Sequence, residues 1–345
     1  MSAVGSSYVW SYLGQLTLLA VLAAGISYGL IFILRGTFVR YAVAQPVARS
    51  SHRAPTPQGG GIGVIGATIV VVFVAALIEP AIENTQSLIS LLGAVVALTI
   101  VGATDDIGPL SATSRLLLQT AAVALVVMAM PHELRAFPLL PWWVERVCIL
   151  VGSVWFINLV NFMDGIDWMT VVEVVPVTAG LAAFGVAGEL PRDATVVAIA
   201  LFGATIGFAP FNRPVARLFL GDVGSLPIGL ILAWLLLLLA VNGHVAAALL
   251  LPLYYLADAT ITLLRRVIRH EPLTEAHRDH FYQRAIDNGF GVYQIVGSVF
   301  ALNVILVGFA AISLSVTSPA YQIAYLALGI MLVAGVLWRF NSARR

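Results

Sequence analysis

The chain has 345 residues, of which 60% are apolar and 10% charged, with a formal net charge of +1 and a single cysteine. An ordinary soluble domain carries roughly 25% charged residues, so this composition predicts a protein whose solvent is the lipid bilayer. The small net charge indicates no nucleic-acid partner, and one cysteine excludes an internal disulfide and a cysteine-rich metal site.

Apolar segments of spanning length occur along the whole chain. The first runs to Leu34 after a tail without charged side chains, which predicts a retained anchor rather than a cleaved signal peptide. Eleven segments are predicted, with ten as the alternative where segments crowd together. They cover residues 9–34, 61–79, 87–104, 116–131, 147–163, 171–188, 194–211, 225–242, 244–263, 292–315 and 319–338. The predicted fold class is an all-α polytopic membrane protein, with residues 1–345 forming a single transmembrane helical domain.

The arginines predict the orientation. Of 18 basic residues, 15 lie in the loops that follow odd-numbered segments or in the C-terminal tail, and the remaining 3 are Arg135, Arg146 and Arg192. Because arginine accumulates on the cytoplasmic side of membrane proteins, the N-terminus is predicted to lie outside and the arginine-rich loops in the cytoplasm.

Aspartates gather on the same predicted side. A carboxylate at membrane depth costs several kcal/mol unless it is paired, hydrated or bound to a metal. Several of these residues lie at segment ends beside glycine, which predicts a shared polar site at the cytoplasmic surface. The residues are Asp105, Asp106, Asp164, Asp167, Asp222, Asp279 and Asp287.

Two clusters supply most of this acidity. Asp105 and Asp106 are adjacent, and like charges this close raise the pKa of one partner, which suits a general base. In the second cluster polar residues recur every three positions around Gly165, and their amide and carboxylate oxygens suit Mg²⁺. The alternatives are a solvated loop end for the first and a helix cap for the second. The second cluster comprises Asn158, Asn161, Asp164 and Asp167.

A third motif places Asp222 between Gly221 and Gly224, just before a spanning segment that Ser225 could cap. An ordinary capped turn is the alternative. In the large loop 264–291, His277, His280 and the neighbouring arginine suit phosphate oxygens. The more distant arginines of that loop could instead set topology or contact anionic lipid.

The first loop joins two prolines and three glycines to basic residues between Arg49 and Gly61, a composition that can form an anion-binding nest. The polar motifs thus lie in loops at about 35–60, 105–115, 164–170, 212–224 and 264–291. Asp258, inside the ninth segment, is either a partner of this site or part of a packing pair.

Together these motifs resemble a known family, the polyprenyl-phosphate N-acetylhexosamine-1-phosphate transferases of glycosyl transferase family 4. The resemblance covers roughly residues 45–290 with the motifs in the family's order. It rests on Arg49-Ser50-Ser51-His52 with Gly59-Gly60-Gly61, Asp105-Asp106, the Asn158 to Asp167 motif, Phe211-Asn212, Gly221-Asp222-Val223-Gly224-Ser225, and His277-Arg278 with His280.

The resemblance implies transfer of a sugar 1-phosphate from a UDP-N-acetylhexosamine to undecaprenyl phosphate, with release of UMP. It implies a multi-pass protein of the bacterial inner membrane with a cytoplasmic active site that uses Mg²⁺, with Mn²⁺ as an alternative. Asp222 and Asn161 would be the metal ligands, and Asp105, Asp106 and Asp222 the catalytic residues. The implied substrate-binding residues are Asn158, Asp164, Asp167, Asn212, His277, Arg278, His280, Arg49 and His52.

Three departures from the family pattern bear on the substrate. Trp168 stands where members usually have glycine, which predicts a reshaped sugar pocket, and Pro109 stands where an aspartate is frequent. The last loop lacks a run of histidines, so the chain resembles the branch that starts O-antigen, lipopolysaccharide or other surface polysaccharides. A secondary transporter of a small anion and a non-catalytic scaffold are the alternative functions, and a homodimer is left open.

Overall fold

The computed structural model describes residues 3–41, 43–44, 55–78, 85–272 and 277–343. Arg49 and His52, predicted to bind substrate, lie outside the described residues. The described chain is helical, as predicted, apart from one antiparallel pair of two-residue strands, β1 (Val43–Ala44) and β2 (Thr56–Pro57).

Thirteen helices follow one another along these described ranges. They are α1 (Ala3–Tyr41), α2 (Gly60–Ile78), α3 (Thr85–Ile107), α4 (Ala112–Met128), α5 (Trp142–Met163), α6 (Met169–Val186), α7 (Arg192–Phe208), α8 (Asp222–Val241), α9 (Val245–Leu250), α10 (Leu253–Ile268), α11 (Phe281–Asp287), α12 (Val292–Ser315) and α13 (Pro319–Asn341).

Eight of these helices are long and apolar enough to cross a membrane, so the chain is a polytopic membrane protein. Each of the eleven predicted segments coincides with helical chain, but three fall short of this length criterion within the described residues. Helices α4 and α7 have 17 residues each, and the segment 244–263 is divided into α9 and α10 at Pro252, which lacks an N–H for helical hydrogen bonding. Length and apolar content thus show eight spans among the described residues, and the predicted total of eleven, or ten, stays a prediction.

Helix α8 is the most buried of the eight, with 89% of its spanning window inside the protein. Its first turn packs tightly on two neighbouring helices because glycine faces it from each. A Cβ atom on Gly61 of α2 would collide with Gly224, and a Cβ atom on Gly102 of α3 would collide with the backbone of Asp222. These close approaches fix the position of the residue with which α8 begins.

Two ends of the helical bundle are distinguished below. The site end is where α3, α5 and α7 end and α4, α6 and α8 begin, and the opposite end is where α4 and α6 end and α5 and α7 begin. The short connections between these helices bring the predicted acidic motifs together at the site end.

Candidate active site

Asp222 is the first residue of α8, and its carboxylate meets the amide of Asn161 from the last turn of α5. The Asn161 Nδ2 donates to Asp222 Oδ1 at 2.8 Å and to Ser225 Oγ at 2.9 Å. Gly221 has a φ of 77°, a conformation that favours glycine, and a Cβ atom there would collide with the Asp106 carboxylate. The structure thus unites two motifs that lie about 60 residues apart in sequence.

Asp106 supports this turn from α3. Its Oδ1 accepts the N–H of Asp222 at 3.0 Å, and its Oδ2 accepts the N–H of Val223 at 3.1 Å. The side chain therefore satisfies the first N–H groups of α8, which have no partner within their own helix. Both of its oxygens already have a backbone partner, so this geometry holds Asp222 in place; a catalytic role for Asp106 stays a prediction.

Asp105 is joined to Arg115 in the first turn of α4. Its Oδ1 accepts the N–H of Leu110 at 2.6 Å, and its Oδ2 lies 2.8 Å from Arg115 Nη1. The same Nη1 lies 3.5 Å from Asp222 Oδ2. Sequence analysis used Arg115 only to predict topology, although its position in the first turn after the acidic pair was a usable signal.

The acids of this cluster outnumber its arginine. Asp105 and Asp222 contact one guanidinium, that of Arg115, and Asp106 is hydrogen-bonded to backbone N–H groups beside them, so a net negative charge remains when all three are ionised. In the part of the chain that the structure describes, no three His, Cys, Asp or Glu side chains form a ready-made metal site. The donor set nevertheless fits a hard cation, because oxygens of two carboxylates converge on the point that the guanidinium nitrogen occupies.

Asp164 follows the last residue of α5, and its Oδ1 accepts a hydrogen bond from the Thr170 hydroxyl. Desolvation raises the pKa of Asp164 to about 7, and the charges of Asp106 and Asp167 act in the same direction, against the effect of Thr170. A carboxyl group with a pKa near neutrality can accept or donate a proton under working conditions.

Asp167 and Asn212, both predicted to bind substrate, are buried where two loops meet. Asp167 Oδ2 accepts the N–H of Ala216 at 2.9 Å. Asn212 Oδ1 accepts the N–H of Trp168 at 2.7 Å, and its Nδ2 donates to the Leu218 carbonyl at 3.0 Å. These contacts join the loop after α5 to the loop after α7, and substrate contact by either residue remains a prediction.

Trp168 adopts a φ of 63°, in the left-handed region that favours glycine, which accounts physically for a glycine at this position in the family pattern. Its indole Nε1 donates to the Ala209 carbonyl at 2.7 Å, and its ring packs edge-on to Tyr293 at 6.0 Å. These contacts are with the loop after α7 and with α12. The described contacts of Trp168 include none with the acid cluster, so its effect on the sugar pocket stays a prediction.

Asn158 lies one helical turn before Asn161, and substrate binding by its side chain stays a prediction. Its Nδ2 donates to Gln119 Oε1 at 2.7 Å and to the Val154 carbonyl at 2.8 Å. Since both amide N–H groups are used between α4 and α5, the described contacts of Asn158 are with protein rather than with the acid cluster.

The last predicted motif packs against the end of α5. The Tyr282 hydroxyl donates to the Phe162 carbonyl at 3.0 Å, and it fills the space that a side chain on Gly165 would need. The rings of His277 and His280 stack with centroids 5.1 Å apart. The loop that follows α10 is thereby fixed next to the Asn161 and Asp164 motif.

Charges differ along this loop. Desolvation lowers the pKa of His277 to about 4, and the neighbouring His280 and Arg266 act in the same direction. Partial burial acts to raise the pKa of Asp279, but the hydrogen bond from Arg266, 2.5 Å long, holds this pKa below its ordinary value. Arg278 Nη2 lies 3.4 Å from Asp287 Oδ1. His277 is therefore neutral at neutral pH, while the arginines supply the positive charge.

Known proteins with similar sequences test the resemblance to this family. The sequence pattern of Glycosyl transferase family 4 matches residues 88–240. A probable undecaprenyl-phosphate N-acetylglucosaminyl 1-phosphate transferase of Bacillus subtilis is 24% identical, with 79% of each chain aligned. The decaprenyl-phosphate N-acetylglucosaminephosphotransferase of Mycobacterium tuberculosis is 28% identical, over 88% of this chain and 83% of its own. These matches confirm the predicted resemblance to glycosyl transferase family 4.

The same matches confirm that the protein is an enzyme of the transferase class. A phospho-N-acetylmuramoyl-pentapeptide-transferase of Streptococcus pneumoniae is also similar, at 29% identity over 55% of this chain and 61% of its own. The region that matches the family pattern contains Asp105, Asn161 and Asp222. The first loop and the histidine loop lie outside it, so their assignment depends on the motifs and on the contacts described above.

Proposed function

We propose that this enzyme transfers an N-acetylhexosamine 1-phosphate from a UDP-sugar to undecaprenyl phosphate and releases UMP. The observation that carries the proposal is the meeting of Asp105, Asn161 and Asp222, from three helices of a polytopic membrane protein, beside Arg115. The names of the Bacillus and mycobacterial relatives describe sugar 1-phosphate transfer to a polyprenyl phosphate and support the same reaction.

The charge distribution fits phosphoryl transfer, in which catalysis consists mainly of positioning and of stabilising negative charge. Arg115, with hydrogen-bond donors left on its guanidinium, would contact phosphate oxygens. Asp222, Asp105 and the Asn161 side-chain oxygen would hold Mg²⁺, or Mn²⁺ in its place. The bound ion would neutralise charge on the diphosphate of the donor.

The remaining predicted residues receive roles consistent with their positions. Asp164, with its pKa near 7, would exchange a proton with the acceptor phosphate as that phosphate attacks the donor. Asp106 would hold Asp222 in register through the first turn of α8. His280 and Arg278 would contact the diphosphate of the donor, at the loop that packs on the end of α5.

We further propose eleven crossings, an outside N-terminus and a site end that faces the cytoplasm of a bacterial inner membrane. The arginine imbalance of 15 to 3 supports this orientation. Helices α4 and α7 would cross although they are short, since tilt and local thinning of the bilayer accommodate short spans. A nucleotide sugar would then meet the site on the side where such donors are made.

The product would start a surface polysaccharide such as O-antigen or another lipopolysaccharide component. The last loop supports this branch, because it contains His277 and His280 separated by two residues instead of a run of histidines. A homodimer is a further prediction, which mass measurement of the detergent-solubilised protein tests.

The direct test uses purified protein, undecaprenyl phosphate, Mg²⁺ and a panel of UDP-N-acetylhexosamines, with UMP release as the readout. We expect release that requires Mg²⁺ and falls on the order of 10³-fold in Asp222→Asn. Glu189→Gln, which alters a carboxylate at the opposite end, serves as the matched control and should keep wild-type turnover. Folded wild-type protein that releases no UMP from any donor would refute the proposal and favour the transporter alternative.

A further inference from the structure

A carboxylate outside the acid cluster, that of Asp258 on α10, is completely buried and collects an unusual number of hydrogen-bond donors. From its own helix, Tyr254 Oη donates to Oδ2 at 3.2 Å and Thr262 Oγ1 lies 3.4 Å from Oδ1. From the first turn of α11, the backbone N–H groups of Phe281 and Tyr282 donate at 3.0 and 3.2 Å. Both oxygens of Asp258 thus act as acceptors for groups from two separate segments of the chain.

The remaining contact of this carboxylate is with His280. Its Nδ1 lies 3.2 Å from Asp258 Oδ1, so a proton on Nδ1 completes the hydrogen bond. The imidazole is also confined on its faces, with ring centroids 5.1 Å from His277 and 5.7 Å from Tyr282. The ring is held in one orientation, and Nε2 points away from Asp258, with no hydrogen-bond partner among the described residues.

The same carboxylate fixes the backbone that carries Tyr282. Because Asp258 accepts the N–H of Tyr282, the phenol is directed to the end of α5, where its hydroxyl donates to the Phe162 carbonyl at 3.0 Å. Phe162 itself lies 6.3 Å from the His280 ring. One buried side chain therefore sets the position of His280 relative to the motif that contains Asn161 and Asp164.

We propose that Asp258 is a positioning residue for the transfer reaction. It fixes His280 as the tautomer with the proton on Nδ1 and presents Nε2 to the diphosphate of the nucleotide sugar. Asp258 itself does not contact substrate and acts through His280. The role assigned to Nε2 rests on the proposed function, whereas the tautomer and orientation of His280 do not.

The first experiment is a double-mutant cycle with UMP release as the readout. Asp258→Asn keeps the shape of the side chain but replaces one carboxylate oxygen with an NH₂ group, which cannot accept a hydrogen bond from the backbone N–H of Phe281 or Tyr282. We expect Asp258→Asn to lower kcat/KM about 10- to 100-fold, with the larger part in kcat, as is typical when the partner that orients an active-site histidine is lost. In a His280→Gln background the same change should have little further effect.

If the two substitutions lowered kcat/KM independently, so that their losses multiplied in the double variant, the proposal would be overturned in favour of a structural role. The same conclusion would follow if the loss of activity in Asp258→Asn matched its loss of thermal stability. Asp258→Glu keeps the carboxylate and should recover part of the activity that Asp258→Asn loses. Glu189→Gln is again the control, since its carboxylate pairs with His244 at the opposite end of the bundle.

The second experiment does not depend on turnover. In protein labelled with ¹⁵N-histidine, the chain's six histidines give separate ring signals, and His280→Gln assigns the one that disappears. We expect His280 to carry a proton on Nδ1 in the wild type and to lose this preference in Asp258→Asn. A wild-type His280 protonated on Nε2 alone would overturn the proposal. If His280 showed the expected tautomer but the protein had no transferase activity, the proposed function would be refuted, and Asp258 would still be the residue that orients His280.

Discussion

The two ends of the bundle differ in how their carboxylates are paired. At the opposite end Glu145 is fully buried, yet it accepts a hydrogen bond from Arg135 and two more from the backbone N–H groups of Ala136 and Phe137, at 2.7 and 2.9 Å. Glu189 likewise has one side-chain partner, His244, whose Nε2 lies 2.8 Å from Glu189 Oε2. Glu145 and Glu189 therefore each have their own hydrogen-bond partners.

At the site end Asp105 and Asp222 share Arg115, and Asp106, which is hydrogen-bonded to backbone N–H groups, lies close enough for its charge to act on Asp164. Burial of unbalanced charge is unfavourable, and folds retain it where a ligand supplies the missing charge. The comparison indicates that the opposite end stabilises the helices, whereas the site end keeps a negative region for a cation and for the phosphates that accompany it.

The prediction with the largest expected effect concerns Arg115. Arg115→Met should reduce turnover on the order of 10²- to 10³-fold, because the cluster loses its only described cation and a candidate phosphate contact. Arg115→Lys keeps the charge without the planar fork and should retain more activity than the methionine variant. UMP release measures both. Arg192→Met at the opposite end is the matched control, and equal losses in the two methionine variants would remove the distinction between the ends.

The second prediction concerns the opposite end. Glu145→Ala should destabilise the protein by about 3 kcal/mol, because Arg135 and two backbone N–H groups lose their buried partner. Unfolding in detergent measures the change, and UMP release per folded molecule should stay at the wild-type level. A loss of turnover without a loss of stability would contradict the stabilising role given to this end.

The third prediction uses pH. Folded Asp164 keeps its proton up to about pH 7, whereas the unfolded carboxyl loses it near 3.8. Since the folded state then binds more protons, stability should fall as the pH rises from about 4 to about 7 and level off above that range. Asp164→Asn removes this loss, so its Tm relative to wild type should increase across the same window. A difference in Tm that is constant from pH 4 to 8 would show that the Asp164 carboxyl is not perturbed.

The smallest expected effect concerns Trp168, at the edge of the site end. Trp168→Gly and Trp168→Ala both remove the indole, but only alanine keeps a Cβ atom at a φ of 63°. The glycine variant should therefore be more stable than the alanine variant by about 1 kcal/mol. Unfolding in detergent compares the two, and equal stability would mean that the backbone relaxes out of the left-handed conformation.

Much of this site was predictable because membrane burial makes acidic residues conspicuous. Asp222 and Asn161 occur at the ends of apolar segments, where a carboxylate and an amide have few structural uses, and the structure places them 2.8 Å apart. The helical class followed from the length and apolar content of the segments. The close packing of α8 against α2 and α3 depends on Gly61 and Gly102. The sequence shows these glycines but does not show which helix packs on them.

Other features depend on contacts between distant parts of the chain. Asp106 caps α8 through residues more than 100 positions away, and Arg115 joins Asp105 to Asp222, so neither role can be read from local sequence. The division of the segment 244–263 at Pro252 was also missed, because hydropathy alone averages over a proline within an apolar run.

The most direct test of the central claim measures divalent-cation binding at the site end without turnover. Mn²⁺ is titrated into purified protein with UMP present, and the bound ion is detected by electron paramagnetic resonance in wild type, Asp222→Asn and Glu189→Gln. The charge imbalance predicts a tightly held Mn²⁺ in the wild type and in Glu189→Gln, and its loss in Asp222→Asn. Equal binding by all three proteins would contradict the claim that the acids of the site end hold a cation.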